Sequence, residues 1–227
     1  RMENEEDREE EQLAVEGIGD DPWFMAADEG DFDTLLRLLN ARDIDAIDDD
    51  GSTALIFVAR NDNLPCLRLL LNANANVNAR NNSGVSALIV AANEGQLECL
   101  NLLLEARGDI NARTNTGATA LMTATAERHP ECVRLLLDAK ANTEAENIGG
   151  NTALILAACH GNNECARLLI DAQANVDAGI NTCGTAVSFA TVIGNDDLIK
   201  FLVEAKADVN APDKDGATPL SGAIQYP

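Results

Sequence analysis

Thr53-Ala54-Leu55 returns as Ser86-Ala87-Leu88, Thr119-Ala120-Leu121, Thr152-Ala153-Leu154, Thr185-Ala186-Val187 and Thr218-Pro219-Leu220, each step being 33 residues long. No insertion interrupts these steps. Leu69-Leu70-Leu71 keeps the same spacing through Leu102-Leu103-Leu104, Leu135-Leu136-Leu137, Leu168-Leu169-Ile170 and Phe201-Leu202-Val203. So do Asn76-Val77-Asn78-Ala79, Asp109-Ile110-Asn111-Ala112 and Asp208-Val209-Asn210-Ala211. Three markers on one period mean that the chain repeats one supersecondary unit, stacked so that each copy leans on its neighbours.

The unit can be read from its residue types. Thr53, Ser86, Thr119, Thr152, Thr185 and Thr218 can each cap a first helix with a side-chain oxygen. Leu55 and Val58 lie three apart and face one side of that helix. Gly95, Gly161 and Gly194 fall in the following turn, where positive φ costs glycine little. Pro65 and Pro130 stand just inside a second helix, where a missing N–H does no harm. The Leu triplet buries that second helix, and Gly51, Gly84, Gly117, Gly150 and Gly216 fall in the hairpin that leads onward.

The unit resembles the ankyrin repeat, which runs Gly-x-Thr-Pro-Leu-His-x-Ala-Ala, a glycine turn, a Leu-rich helix and Ala-Asp-Val-Asn-Ala. The resemblance covers residues 22–227. It implies an all-α solenoid of stacked helix-turn-helix pairs joined by β-hairpin loops. The expected division is an acidic tail at 1–21, an atypical first helix pair at 22–41, five repeats, and a truncated last repeat at 212–227. Departures are informative. The family's histidine position holds Ile56, Ile89, Met122, Ile155, Ser188 and Ser221, so apolar packing replaces a polar contact. Cys183 replaces a hairpin glycine, which predicts an altered hairpin around Gly179 and Gly184.

Composition narrows the function. Hydrophobic residues make up 46% and aromatics 3%, so the core is expected from Leu, Ile, Val and Ala layers. The net charge of −22 argues against nucleic acid and anionic membrane surfaces, which favour Lys and Arg. No apolar run approaches the roughly 20 residues of a membrane span, and no signal-peptide pattern opens the chain. A protein partner is left as the expected ligand.

Cys66, Cys99, Cys132 and Cys165 invite a zinc reading, which needs all sulfurs about 2.3 Å from one ion. Equivalent positions in a helical stack lie about 8–10 Å apart instead, beyond the roughly 7 Å Cα limit of a disulfide as well. They read as small buried hydrophobes in a reducing, intracellular compartment, the cytoplasm first; an organelle protein freed of its transit peptide would leave a similar chain. Cys159 and Cys183 are the expected exposed thiols. Neither His129 nor His160 has a nucleophile or carboxylate at triad spacing, and no phosphate-cradling glycine loop is present. No catalytic residue, metal, cofactor or small-molecule substrate is expected.

By the resemblance, the concave face of the stack takes the partner. Its positions map to Ile47, Asp49, Asp50, Ser52, Arg60 and Asn61, then Arg80, Val85, Asn93 and Glu94, then Arg113 and Glu127, then Glu146, Ile148, Cys159 and His160, and finally Val192 and Ile193. This face runs from acidic through arginine-bearing to uncharged. Arg80 and Arg113 are the expected anchors, since arginine is enriched at interface hot spots. Against this stands a solvated surface with ion pairs to Asp49 and Glu146.

The ends suggest a larger context. Residues 1–21 hold ten acids and two bases, a composition that favours disorder unless something covers it; Leu13, Val15 and Ile18 could dock on the first helix pair. The half-repeat that opens at Pro212 is expected to leave Leu202 and Leu220 poorly covered, so the chain continues past Pro227 or a neighbour covers that end. The readings that follow are an interaction scaffold, a fixed subunit of a large assembly, or the regulatory segment of a longer enzyme.

Overall fold

A computed structural model describes residues 21–179, 184–212 and 216–219. The acidic tail apart from Asp21, the Cys183 hairpin, Leu220 and most of the last repeat lie outside them. Among the described residues the chain forms helices α1 (Pro22–Glu29), α2 (Phe32–Leu38), α3 (Ala54–Arg60), α4 (Leu64–Asn72), α5 (Ala87–Asn93), α6 (Leu97–Glu105), α7 (Ala120–Ala126), α8 (Pro130–Asp138), α9 (Ala153–Cys159), α10 (Asn163–Asp171), α11 (Ala186–Val192) and α12 (Asp196–Glu204). Odd-numbered helices pack on one another in chain order and form an inner layer, and even-numbered helices form the outer layer. The hairpins hold no strand among the described residues, only isolated bridges pairing Ile47 with Thr53 and Arg80 with Ser86.

Local chemistry explains the helix starts. The side chains of Ser86, Thr119, Thr152 and Thr185 accept from the backbone N–H three residues on, at 3.3–3.4 Å. Thr53 departs from the expectation: its hydroxyl is buried without a hydrogen-bond partner among the described residues. The N–H it should receive, on Ile56, is drawn instead to the Thr53 carbonyl at 3.0 Å. Asn63, Asn162 and Asn195 cap outer helices through their side chains.

Burial corrects two readings. In α3 and α5 the residues Ala54–Ala59 and Ala87–Ala92 are buried on every side, not on one face. Within each Leu triplet only the central residue is fully covered: Leu70, Leu103, Leu136, Leu169 and Leu202 are all at 0% exposure. Each contributes roughly 1.5–3 kcal/mol by leaving water. Leu202, expected to lie uncovered, is therefore as well buried as its equivalents. The family's histidine position is apolar core here, at Ile56, Ile89, Met122 and Ile155. The buried aromatics among the described residues, Trp23, Phe24 and Phe57, lie at the N-terminal end, where Phe24 meets Phe57 with ring centroids 6.0 Å apart, while Phe189 packs half-buried against the core further along.

Three ladders of hydrogen bonds tie neighbouring units together among the described residues. Along the hairpins, the N–H of Asn82, Asn115 and Ile148 donates to the carbonyl of Asp50, Ser83 and Thr116 at 2.8–2.9 Å. Along the loops after the outer helices, the N–H of Asn76, Asp109, Asn142, Asn175 and Asp208 donates to side-chain oxygens of Asp45, Asn78, Asn111, Glu144 and Asp177 at 2.7–2.9 Å. At the outer-helix starts, Asn63, Gln96, His129 and Asn162 reach back to the carbonyls of Gly30, Arg60, Asn93 and Thr125 at 2.8–3.3 Å.

Candidate functional site

The inner face is built from the hairpin tips and the C-terminal ends of the inner helices. Four hairpins among the described residues are each closed by a short polar side chain at one repeated position. Asp48 Oδ1 accepts from Asp50 and Ser52, Asn81 Oδ1 from Ser83 and Val85, Thr114 Oγ1 from Ala118, and Asn147 Oδ1 from Gly149 and Asn151. These bonds pull Ser52 and Val85 inward, to 0% and 1% exposure. Both were expected on the binding face and belong to the core.

The arginines of the face are engaged within the stack. Arg80 Nε donates to the Gly84 carbonyl at 2.9 Å, and its Nη2 donates to the Arg113 carbonyl. Arg113 Nη2 donates in turn to the Glu146 carbonyl one repeat on. Glu146 therefore meets Arg113 through its backbone, not through a carboxylate ion pair. Arg60 pairs with Asp28, and its guanidinium stands 5.4 Å from the Phe57 ring centroid. Asn93 donates to the Glu94 carboxylate at 3.2 Å, and its own carbonyl accepts from His129 Nε2 at 2.8 Å. Sequence reasoning missed this role of the arginines, since nothing in an Arg-x-x-x-Gly spacing announces a carbonyl one repeat away.

Asp49, Glu127 and Glu146 are exposed and Asp50 is half-buried. Val192 and Ile193, at the end of α11, are exposed at 42% and 47%, and Ile148 on its hairpin tip at 80%. The face thus brings acids and in-stack arginines together in its first layers and apolar side chains in its last. Asp48 lies just beneath the acidic start. Burial pushes its carboxyl above the usual aspartate range, against the lowering effect of the Ser52 and Asp50 N–H groups, and Asp50 and Asp49 raise it further.

The cysteine ladder is core. Cys66, Cys99, Cys132 and Cys165 are buried free thiols, and Cys159 is half-buried. Burial, with nearby acids, pushes Cys99 up to about 12 and Cys132 up to about 11, and holds Cys66 above the usual thiol range. Cys165 also rises to about 11, against the lowering contact of Asn162. Such thiols are not nucleophiles at neutral pH. No group of three or more His, Cys, Asp and Glu side chains suited to a metal is found among the described residues. Nor is any described helix long and apolar enough to cross a membrane.

Comparison with known proteins agrees with this geometry. The family described as "Ankyrin repeats (3 copies)" matches residues 23–114 and 106–181. The ankyrin repeat domain of Bcl-3, described as a unique member of the IkappaB protein family, superposes with a TM-score of 0.80 at 29% identity, covering 90% of this chain and 94% of that one. The human ASB11 ankyrin repeat domain superposes with a TM-score of 0.78 at 24% identity, covering 89% and 91%. A shorter likeness, 40% identity over 58 residues, links the chain to the palmitoyltransferase akr1 of Schizosaccharomyces pombe; it covers 25% of this chain and only 9% of that protein. Repeat period, helix layers and family match all agree: the chain belongs to the ankyrin repeat family, whose domains are in general protein-interaction modules.

Proposed function

We propose that the chain is a protein-interaction scaffold that binds a partner through its concave face and performs no chemistry of its own. Asp49, Asp50, Arg60, Arg80, Asn93, Arg113, Glu127, Glu146, Val192 and Ile193 are the contact positions. The observation that carries this reading is a contrast between rows of equivalent residues. The core row Leu70, Leu103, Leu136, Leu169 and Leu202 repeats one side chain. The face row Asn61, Glu94, Glu127, His160 and Ile193 changes charge, size and polarity at every layer but one. Packing fixes the residue type in the first row and not in the second, and a linear array of varied side chains suits recognition of another chain.

Affinity capture from native extract tests the proposal, with Glu127→Lys plus Glu146→Lys as the altered bait. These two side chains support no described hydrogen bond of the stack, so the thermal melt should stay in place while captured protein falls at least ~10-fold, about 1.4 kcal/mol. Equal capture by both baits would remove this face from the reading. The akr1 likeness supports a second reading, in which the stack is the regulatory segment of a longer enzyme. The full-length gene decides that. Exposed Met25, Phe32 and Leu36 on the first helix pair support a fixed place in a larger assembly.

A further inference from the structure

One edge of the inner face carries a sharper message about the partner. The residues that follow the inner helices α3, α5, α7, α9 and α11 form a row, Asn61, Glu94, Glu127, His160 and Ile193, which Asp28 in the last turn of α1 extends. Asp28 is neutralised by Arg60 and also accepts from Asn61 Nδ2 at 2.8 Å. Glu94 and Glu127 are exposed, and neither has an ion pair among the described residues. The nearest base in sequence, Arg128, turns its guanidinium onto the His160 carbonyl. His160 Nδ1 is committed to the Leu156 carbonyl at 2.8 Å.

Beyond His160 the edge becomes apolar. Val192 and Ile193 are adjacent and exposed at the end of α11, and Leu156 of α9 and Phe189 of α11 are half-buried. Gly161 and Gly194 leave the turns beside Ile193 without side chains. A Cβ on Gly161 would lie 3.4 Å from Ile193 Cδ1, and one on Gly194 would meet nothing within 4 Å. The equivalent turn at Gly95 is filled: a Cβ there would strike the His129 ring at 2.5 Å.

Building on the concave-face reading, we infer that this edge binds an extended segment of a protein partner, with basic residues over Glu94 and Glu127 and an apolar residue over Val192 and Ile193. Spacing follows from the stack. Helices lie about 8–10 Å apart per repeat, and an extended chain advances about 3.3 Å per residue. The two basic residues should therefore stand about three apart, and the apolar one about six residues beyond. The order of charge and apolarity on the protein fixes the order on the ligand. The chain's net charge of −22 favours the same basic segment at long range.

Selection of a random peptide library displayed on phage, against the whole chain, tests the inference. Enriched peptides should carry Lys or Arg pairs and an apolar residue at the stated separation. Their binding should weaken at least ~10-fold on Val192→Ser plus Ile193→Ser. Glu94→Gln plus Glu127→Gln should weaken it and flatten its salt dependence. Both variants alter exposed positions, and an unchanged thermal melt verifies the fold. Peptides without this order, or peptides indifferent to both variants, overturn the inference. Peptides that depend on the hairpin residues Asp49 and Glu146 instead would overturn it while leaving the concave-face reading standing.

Discussion

At the level of single residues, the repeat makes its own controls, because equivalent positions show what each side chain costs. Asp48, Asn81, Thr114 and Asn147 close equivalent hairpins. Asn81 also passes its amide to Ser52 Oγ at 3.3 Å, whereas Asp48 Oδ2 is buried without a partner among the described residues. Burial, helped by Asp50 and Asp49, raises the Asp48 pKa above 3.8. A raised carboxyl pKa means that the native state binds the proton more tightly than the unfolded chain. The folded protein therefore carries a penalty above its folded pKa, and that penalty fades as pH falls through it. Asp48→Asn keeps the two accepted N–H bonds through the amide oxygen and removes the buried charge. It should raise stability at pH 7 by about 1 kcal/mol. The gain should shrink as pH falls through the folded pKa and vanish below the ordinary aspartate value. Thermal melts of both proteins across that range are the check, and a gain that is constant with pH would show that the charge is not the cause.

Among the elements, the outer helices show how much of the design is spelled in letters and how much is not. Asn162 accepts from the Cys165 N–H at 3.2 Å as the cap of α10 and donates to the Thr125 carbonyl of the previous inner helix at 3.1 Å. One side chain thus starts a helix and fastens it to the neighbouring unit. Asn162→Ala removes the cap and leaves a carbonyl short of a donor, for a cost of about 2 kcal/mol. Denaturant unfolding should show stability falling by that amount, and a loss below about 0.5 kcal/mol would mean that water replaces both bonds. The period, the helix pairs and the buried thiols were legible because core positions repeat the same letters. The reach-back row was not, since Asn63, Gln96, His129 and Asn162 share a function without all sharing a residue type. Nor was the engagement of Arg80 and Arg113, whose acceptors are carbonyls that lie 33 residues away in sequence. Thr53 makes no cap bond although its φ of −92° and ψ of 162° are close to those of the capping Thr152 and Thr185, and nothing in the structure explains the difference.

Taken as one molecule, the stack adds neighbour terms, and its charge follows the same periodicity. Glu98, Glu131, Glu164 and Asp197 form one exposed row at the start of the outer helices, and Glu105, Asp138, Asp171 and Glu204 form another at their ends. Neighbours within a row are about 8–10 Å apart if the rows follow the helix spacing. Compensation is thin. The described ion pairs are Arg42–Asp21, Arg60–Asp28, Arg134–Glu131 and Lys200–Asp197. Arg80, Arg113 and Arg128 commit their Nη2 groups to backbone carbonyls. With a net charge of −22 the folded stack repels itself. The Debye length falls from about 30 Å at about 10 mM salt to about 8 Å near 0.15 M, which crosses the spacing of the acid rows. Raising NaCl over that interval should therefore raise the melting temperature, with a smaller rise beyond it. Lys substitution in the other row, Asp138→Lys with Asp171→Lys, breaks no described ion pair and puts cations at helix C-termini, where the dipole favours them, so it should itself stabilise the protein and blunt the salt response. Calorimetry of both proteins at the two salt levels decides the matter: a melting temperature that falls with salt would mean that the few ion pairs outweigh the repulsion between the rows.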